Sequence, residues 1–385
     1  MARGAIFEEV ATTRTEAEAA AERARAKQPK IKGPGQGARA AIAAWLWLLA
    51  ALVSIMILVG GLTRLTDSGL SITVWDPVMG AIPPLSASDW DAAFEMYKTT
   101  TEYQEQNNWM TLDDFKPIYW WEWGHRQLGR FIGLVWAIGF FGFLAARKIP
   151  RGWTMPLVIP GALGGLQGAI GWWMVSSGLV GRLDVASYRL ALHLGLAFAI
   201  LALLVWLARR IRLPEAEAMQ ARRRRRGGLG LLRWVGVLLG LQILFGALVA
   251  GIDAGRYYVD WPLMQGAFLP PDPLELQPIW RNFFENAGTV QFTHRMLGYL
   301  VLLGGLWASW RLWRRPEGAA RWHGAVLAVA MLGQTALGIV TVMNAAPLEI
   351  AIWHQAGAIV LTAILASAFV TLAYPPETRI ARATG

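Results

Sequence analysis

Not one cysteine occurs in the 385 residues. That absence removes disulfides, thiolate nucleophiles and Cys-ligated zinc or iron–sulfur clusters, so any metal must be held by histidine or carboxylate. Charge is scarce as well: Asp, Glu, Lys and Arg make up 16% of the chain against 55% hydrophobic residues, and the mean hydropathy is +0.37. Soluble domains carry about 25% charged residues, so an ordinary soluble globular protein is excluded. The first 39 residues are polar and rich in Ala, Glu and Arg, with no apolar stretch of the kind a cleaved signal peptide has. Their acidic residues also argue against a mitochondrial transit peptide, and residues 1–39 read as a cytoplasmic tail.

What the chain has in quantity is apolar sequence. Runs of roughly 20 residues, enough to cross about 30 Å of hydrocarbon, fall near 40–62, 125–145, 154–175, 188–208, 231–252, 293–313, 324–344 and 350–372. The expected fold is an all-α polytopic membrane protein with eight transmembrane helices. The formal charge of +10 is concentrated at particular helix ends: Arg23, Arg25, Lys27, Lys30 and Lys32 before the first run, Arg147, Lys148 and Arg151 after the second. Arg209, Arg210, Arg212 and 222–226 follow the fourth, Arg311, Arg314 and Arg315 the sixth, and Arg379 and Arg382 the eighth. Such clustering orients spans and does not suit a nucleic-acid surface; it predicts both termini in the cytoplasm. The loop 66–124, with ten acidic residues against Lys98 and Lys116, then faces outward, as does the acid-leaning loop 253–290. A multi-pass protein of a bacterial inner membrane is the simplest setting.

The sequence repeats itself. ILVGGLTRLTDSG at 57–69 aligns with ILFGALVAGIDAG at 243–255, and EWGHRQLGR at 122–130 with QFTHRMLGY at 291–299. LQGAIGWWMV at 166–175 aligns with GQTALGIVTV at 333–342, and SYRLALHLGLA at 187–197 with LEIAIWHQAGA at 348–358. Each half is a four-helix unit, 40–208 and 231–372, joined by a basic linker 209–230 read as poor in helix and followed by a tail 373–385. Four spans per unit make the halves parallel rather than inverted.

Four of the five histidines fall at matched positions, His125 with His294 and His193 with His354. A histidine in a span is costly and marks function by default. Two per four-helix unit suit a haem iron, which takes two axial imidazoles from facing helices; zinc or di-iron is poorly supported without an inward carboxylate cluster. His125 and His294 are expected to open the second helix of each unit. His323 has no repeat partner and reads as a surface residue. The repeat breaks at one informative place, where Glu122 in the first half faces Gln291 in the second. If a helix begins before Glu122, residues three apart share its face, and the carboxyl belongs to the site of His125. The alternative is a solvated helix-terminal Glu favoured by the dipole.

These residues, with GGLTRLTDSGLSITVWDPVMGAIPP at 60–84, resemble haem A synthase in its proteobacterial and mitochondrial branch, over essentially all of 40–375. The resemblance implies oxidation of the C8 methyl of haem O to a formyl group through hydroxylated intermediates, for cytochrome oxidase biogenesis. It implies haem B on His294 and His354, haem O on His125 and His193, and an essential carboxylate at Glu122. Some members carry a cysteine pair in an outer loop, which this chain lacks. Arg126 and Arg295, each beside a ligand candidate, could pair with propionates or snorkel to the interface; Arg64 is a weaker candidate for substrate contact. The partners implied are haem O as substrate, haem O synthase, an electron donor or acceptor the sequence does not identify, and membrane lipid, with homo-oligomerisation left open and no nucleic acid. A dihaem electron-transfer cytochrome would share the four histidines without explaining Glu122; a transporter would usually place its ionisable residues at midplane.

Overall fold

The computed structural model describes residues 36–376 except 77 and 226, and the expected tails, with Arg379 and Arg382, lie wholly or mostly outside them. Among the described residues the fold is helical: α1 Gln36–Leu65, α2 Ala87–Lys98, α3 Leu112–Ala145, α4 Thr154–Gly178, α5 Ser187–Arg210 and α6 Glu215–Arg223. It continues with α7 Leu229–Gly251, the single turn α8 Asn282–Glu285, α9 Ala287–Trp313, α10 Gly318–Met343 and α11 Leu348–Ala373. Seven helices, α1, α3, α4, α5, α7, α10 and α11, are long and apolar enough to cross a membrane. The remaining expected run, the sixth, 293–313, lies in α9, where Gln291, Thr293, His294 and Arg295 near one end and Arg311 at the other dilute the apolar stretch.

The described residues from Arg39 to Pro376 form one compact unit containing two large apolar cores. The first draws Leu46, Leu49, Phe140, Leu157, Phe198 and Leu201 from α1, α3, α4 and α5, with Ile359 of α11. The second draws on α6, α7, α9, α10 and α11 through residues such as Leu232, Val235, Leu312, Leu327 and Leu365. The helices crossing between them are the equivalent ones: α5 packs on α7 and α11, and Gln355 of α11 donates to Ile57 O of α1 at 2.6 Å. Large apolar side chains also point away from both cores, among them Ile138, Phe141, Trp307 and Val329. A helix apolar on its outward face as well as its packed face is what a lipid surround selects.

Two expectations are corrected. His125 does not open its helix, because α3 begins at Leu112, where Thr111 and Asp114 form a capping box that satisfies the first amides. α9 likewise begins at Ala287, capped by Asn286, which accepts from Thr289 N at 2.9 Å, so His294 lies in its second turn. Nor is the linker poor in helix: α6 runs from Glu215 to Arg223, with Glu215 and Glu217 in its first turn and Arg222 and Arg223 in its last. Those charges complement the helix dipole, and buried Ala218 and Ala221 anchor α6 to the second core.

Candidate functional site

The four repeat-matched histidines share one local construction. Each lies against a glycine of the preceding helix of its half: a Cβ at Gly60 would stand 2.9 Å from Cε1 of His125, at Gly171 2.8 Å from His193, at Gly246 2.9 Å from His294 and at Gly338 2.9 Å from His354. Real Cβ atoms do not approach that closely, so only glycine lets the imidazole lie flat against its neighbour. Glutamines complete the setting. Gln167 Nε2 donates to His193 O at 2.9 Å and lies 3.2 Å from Nδ1; Gln334 repeats both contacts on His354 at the same distances. Gln242 Nε2 lies 3.2 Å from Nε2 of His294.

The rings of His294 and His354 stand 6.5 Å apart, centre to centre, with their planes at 81°. One metal between two imidazole nitrogens at about 2 Å each, with roughly 1 Å more from nitrogen to ring centre, needs about 6 Å. The spacing fits. Nδ1 of both His125 and His294 is buried without a hydrogen-bond partner, as expected of rings set aside for another ligand. No group of three or more His, Asp or Glu side chains suited to a bare metal ion occurs among the described residues. The donor set therefore suits an iron that brings its own equatorial ligands.

Glu122 is mid-helix and 3% exposed, which disposes of the helix-terminal reading. Oε2 accepts from Ser71 Oγ at 2.8 Å and Ile72 N at 2.7 Å; Oε1 accepts from Arg126 Nε at 3.1 Å and Nη2 at 2.5 Å. Arg126 also donates to Val74 O at 3.0 Å and Ile72 O at 2.7 Å. The pair thus clasps the loop after α1 onto α3. Gln291, 2% exposed, does the equivalent with opposite polarity: its amide donates to Ala254 O and Tyr258 O, both at 3.1 Å. Arg295 donates to Gln291 Oε1 at 3.2 Å, Tyr258 O at 2.7 Å and Leu263 O at 2.9 Å, while its Nε is buried without an acceptor. Much of the donor capacity expected for a propionate is therefore spent on loop carbonyls in both halves.

Beside Arg126 a cavity of about 250 Å³ opens between the loop and α2, lined by Ile72, Thr73, Met96, Tyr119 and Arg130 among others. The long loop 66–124 contributes α2, whose Phe94 and Tyr97 pack with Phe115 and Tyr119 of α3.

Arg64 is occupied by carboxylates: Asp67 at 2.8 Å, its repeat counterpart Asp253 at 2.9 Å, and Asp184 at 3.6 Å. It pins three loops from both halves. His323 is no bland surface residue, because its Nε2 meets Arg209 Nη1 at 3.0 Å and Ser367 Oγ at 2.9 Å. The glycines and glutamines around the histidines were missed from sequence, although Gly60/Gly246, Gly171/Gly338 and Gln167/Gln334 sit at matched positions of the repeat.

The fold and its histidines define a class: a helical protein with membrane-length helices and four histidines each set against a glycine, two of them spaced to hold one metal between their rings. Within that class, the family model described as "Cytochrome oxidase assembly protein" (COX15-CtaA) matches residues 43–366, and the chain belongs to that family. It is 60% identical over 334 residues to a Heme A synthase of Dinoroseobacter shibae, covering 86% of this chain and 87% of the relative. It is 58% identical over 336 residues to a Heme A synthase of Ruegeria pomeroyi, covering 86% and 88%.

Proposed function

We propose that this chain is a membrane oxidoreductase that converts haem O to haem A in cytochrome oxidase assembly. The observation that carries the reading is the pairing of histidines at repeat-matched positions together with the one break in the match, Glu122 against Gln291. Two like sites with one unlike side chain divide the labour: one half reacts and the other holds a permanent group.

In this reading His125 and His193 hold the substrate haem O in the N-terminal unit 40–208, and His294 and His354 hold haem B in the C-terminal unit 231–372. Haem B, when bound, supplies one-electron redox chemistry. The protein's own contribution is placement. Glycines 60, 171, 246 and 338 let the imidazoles lie close to their neighbours, and Gln167 and Gln334 fix ring orientation, as partners of ligating histidines do. The Glu122 carboxylate, pinned by four donors, sets negative charge at the wall of the substrate site, where positive charge develops as the methyl group is oxidised. Arg126 holds that carboxylate and the loop, and Arg295, through its open Nε, is the better placed of the two to meet an anionic propionate.

The architecture we infer has eight spans, α9 included, arranged as two parallel four-helix bundles, both termini in the cytoplasm and the haem sites toward the outer face of a bacterial inner membrane. The farnesyl tail of haem O makes the substrate lipid-soluble, which suits a site within the bilayer and delivery from haem O synthase. The test is to express the protein in cells making haem O, extract the haems in acid, and separate them with mass detection. Haem A, or its hydroxylated precursor, appears only with the protein present. Haem B alone, with haem O untouched, would instead mean a dihaem electron carrier.

A further inference from the structure

Glu102 lies in the segment between α2 and α3 and is 3% exposed, yet its Oε2 has no hydrogen-bond partner. The charged groups near enough to act on it are Asp67, Asp184, Glu122 and Arg64, with the fully buried Tyr97 beside it. Cations are short here. Arg64 already meets Asp67, Asp184 and Asp253 within 3.6 Å, and Arg126 is taken by Glu122. An ionised Glu102 would be a further buried carboxylate with no countercharge and one oxygen without a donor, which is the arrangement that retains a proton instead. Burial first, then the neighbouring acids, pushes its carboxyl up to about 8. Asp184, nearer the surface, is raised in the same direction, again chiefly by burial.

The acids are graded in exposure. The side chain of Glu122 is 4% exposed, whereas those of Asp184 and Asp67 are 44% and 54% exposed, with Glu102 facing both sets. Among the described residues the second half has no buried acid and no buried carboxylate oxygen left without a partner. We propose that Glu102 is a proton-carrying residue that stands between the buried site walled by Glu122 and the outer aqueous face, holding a proton on its carboxyl and passing it between that site and the exposed side where Asp67 and Asp184 lie. The inference rests on the oxidation reading above, because turning a methyl into a formyl group releases protons that must leave a buried site. Glu102 acts through that site and is a positioning residue for protons.

The test uses the full purified protein and Glu102→Gln, which keeps the shape but cannot titrate. In pH-difference infrared spectra the wild type shows a protonated-carboxyl C=O band lost as pH rises through about 8, and Glu102→Gln lacks it. The linked stability has a definite sign. A carboxyl raised on folding favours the native state below that value, so wild-type stability declines from about pH 4.3 up to about 8, and Glu102→Gln removes the decline. In haem O oxidation the variant loses about a hundredfold in rate and the pH limb near 8, with haem content unchanged, and Glu102→Asp restores part of both. A carboxyl band that survives in Glu102→Gln overturns the assignment of the proton. A variant that lacks the band but oxidises haem O at the wild-type rate and pH profile overturns the relay. The band is read without turnover, so its loss or survival is independent of whether the oxidation reading holds.

Discussion

The two halves of this molecule repeat the same contact of histidine on glycine and differ in the polarity of one buried latch. In the first half a carboxylate gathers a hydroxyl, an amide and a guanidinium; in the second a carboxamide hands its hydrogens to two carbonyls and takes one back from Arg295. Both latches hold the loop that follows the first helix of their unit, so the shared role is structural. What differs is charge, since the carboxylate of Glu122 offsets Arg126 where the neutral Gln291 does not offset Arg295, and charge fixed beside a reacting group is the usual means by which a site stabilises a transition state. In the proposed function, that unlike side chain is what separates the half that reacts from the half that holds a permanent haem.

Exchanging the two side chains should give the largest effect. Glu122→Gln removes the charge and also leaves one amide facing donors on both sides, since Ile72 N and Ser71 Oγ approach from one and Arg126 from the other. We expect loss of haem O oxidation by about a thousandfold, together with faster hydrogen exchange of the amides at 70–74. Gln291→Glu points a buried carboxylate at the carbonyls of Ala254 and Tyr258, and we expect about 3 kcal/mol of destabilisation, read by thermal unfolding of the purified protein. Oxidation that continues at full rate in Glu122→Gln would make both latches structural and remove the asymmetry from the chemistry.

Much of this was legible in the sequence, and the losses have physical causes. The four histidines and the 122/291 break stood at repeat-matched positions, which a one-dimensional alignment can read. Helix starts were misplaced because α3 opens in a polar, acidic loop, where the signal is the cap at Thr111 rather than hydropathy. The helix in the linker was hidden because α6 is short and charged and is stabilised by packing of Ala218 and Ala221 against residues far along the chain. Arg64 reads only as a weak candidate for substrate contact and Glu102 as no candidate at all, since the partners that define them, Asp184 and Asp253 for Arg64 and Asp67 and Asp184 for Glu102, lie 35 or more positions away in sequence. An apolar span yields its period locally, whereas a buried polar cluster is assembled by tertiary contacts.

The next contrast separates the two haem positions by steric means. Alanine at Gly338 or Gly246 would bring a methyl to 2.9 Å from the imidazole of His354 or His294, and the ring must shift by several tenths of an ångström or turn. A ligand moved by that order costs about a hundredfold, so each variant should purify with a depleted haem B Soret band. Gly60→Ala and Gly171→Ala should keep that band and lose oxidation instead. If all four variants lose colour equally, the halves are not independent sites and the comparison fails.

The smallest effect sharpens the same division without disturbing the backbone. Gln334→Leu and Gln167→Leu keep the volume of the side chain but remove the donor that meets the His354 or His193 carbonyl at 2.9 Å and the ring nitrogen at 3.2 Å. Groups that orient a ligating histidine contribute about ten- to a hundredfold in affinity. Gln334→Leu should therefore weaken retention of haem B by about tenfold in a titration of apoprotein and leave the product ratio unaltered once haem B is saturating. Gln167→Leu should do the reverse, raising the haem O concentration needed for half-maximal turnover by a similar factor with the haem B band intact. The two glutamines make identical contacts, so a difference between the variants in what they lose can arise only from what each half holds.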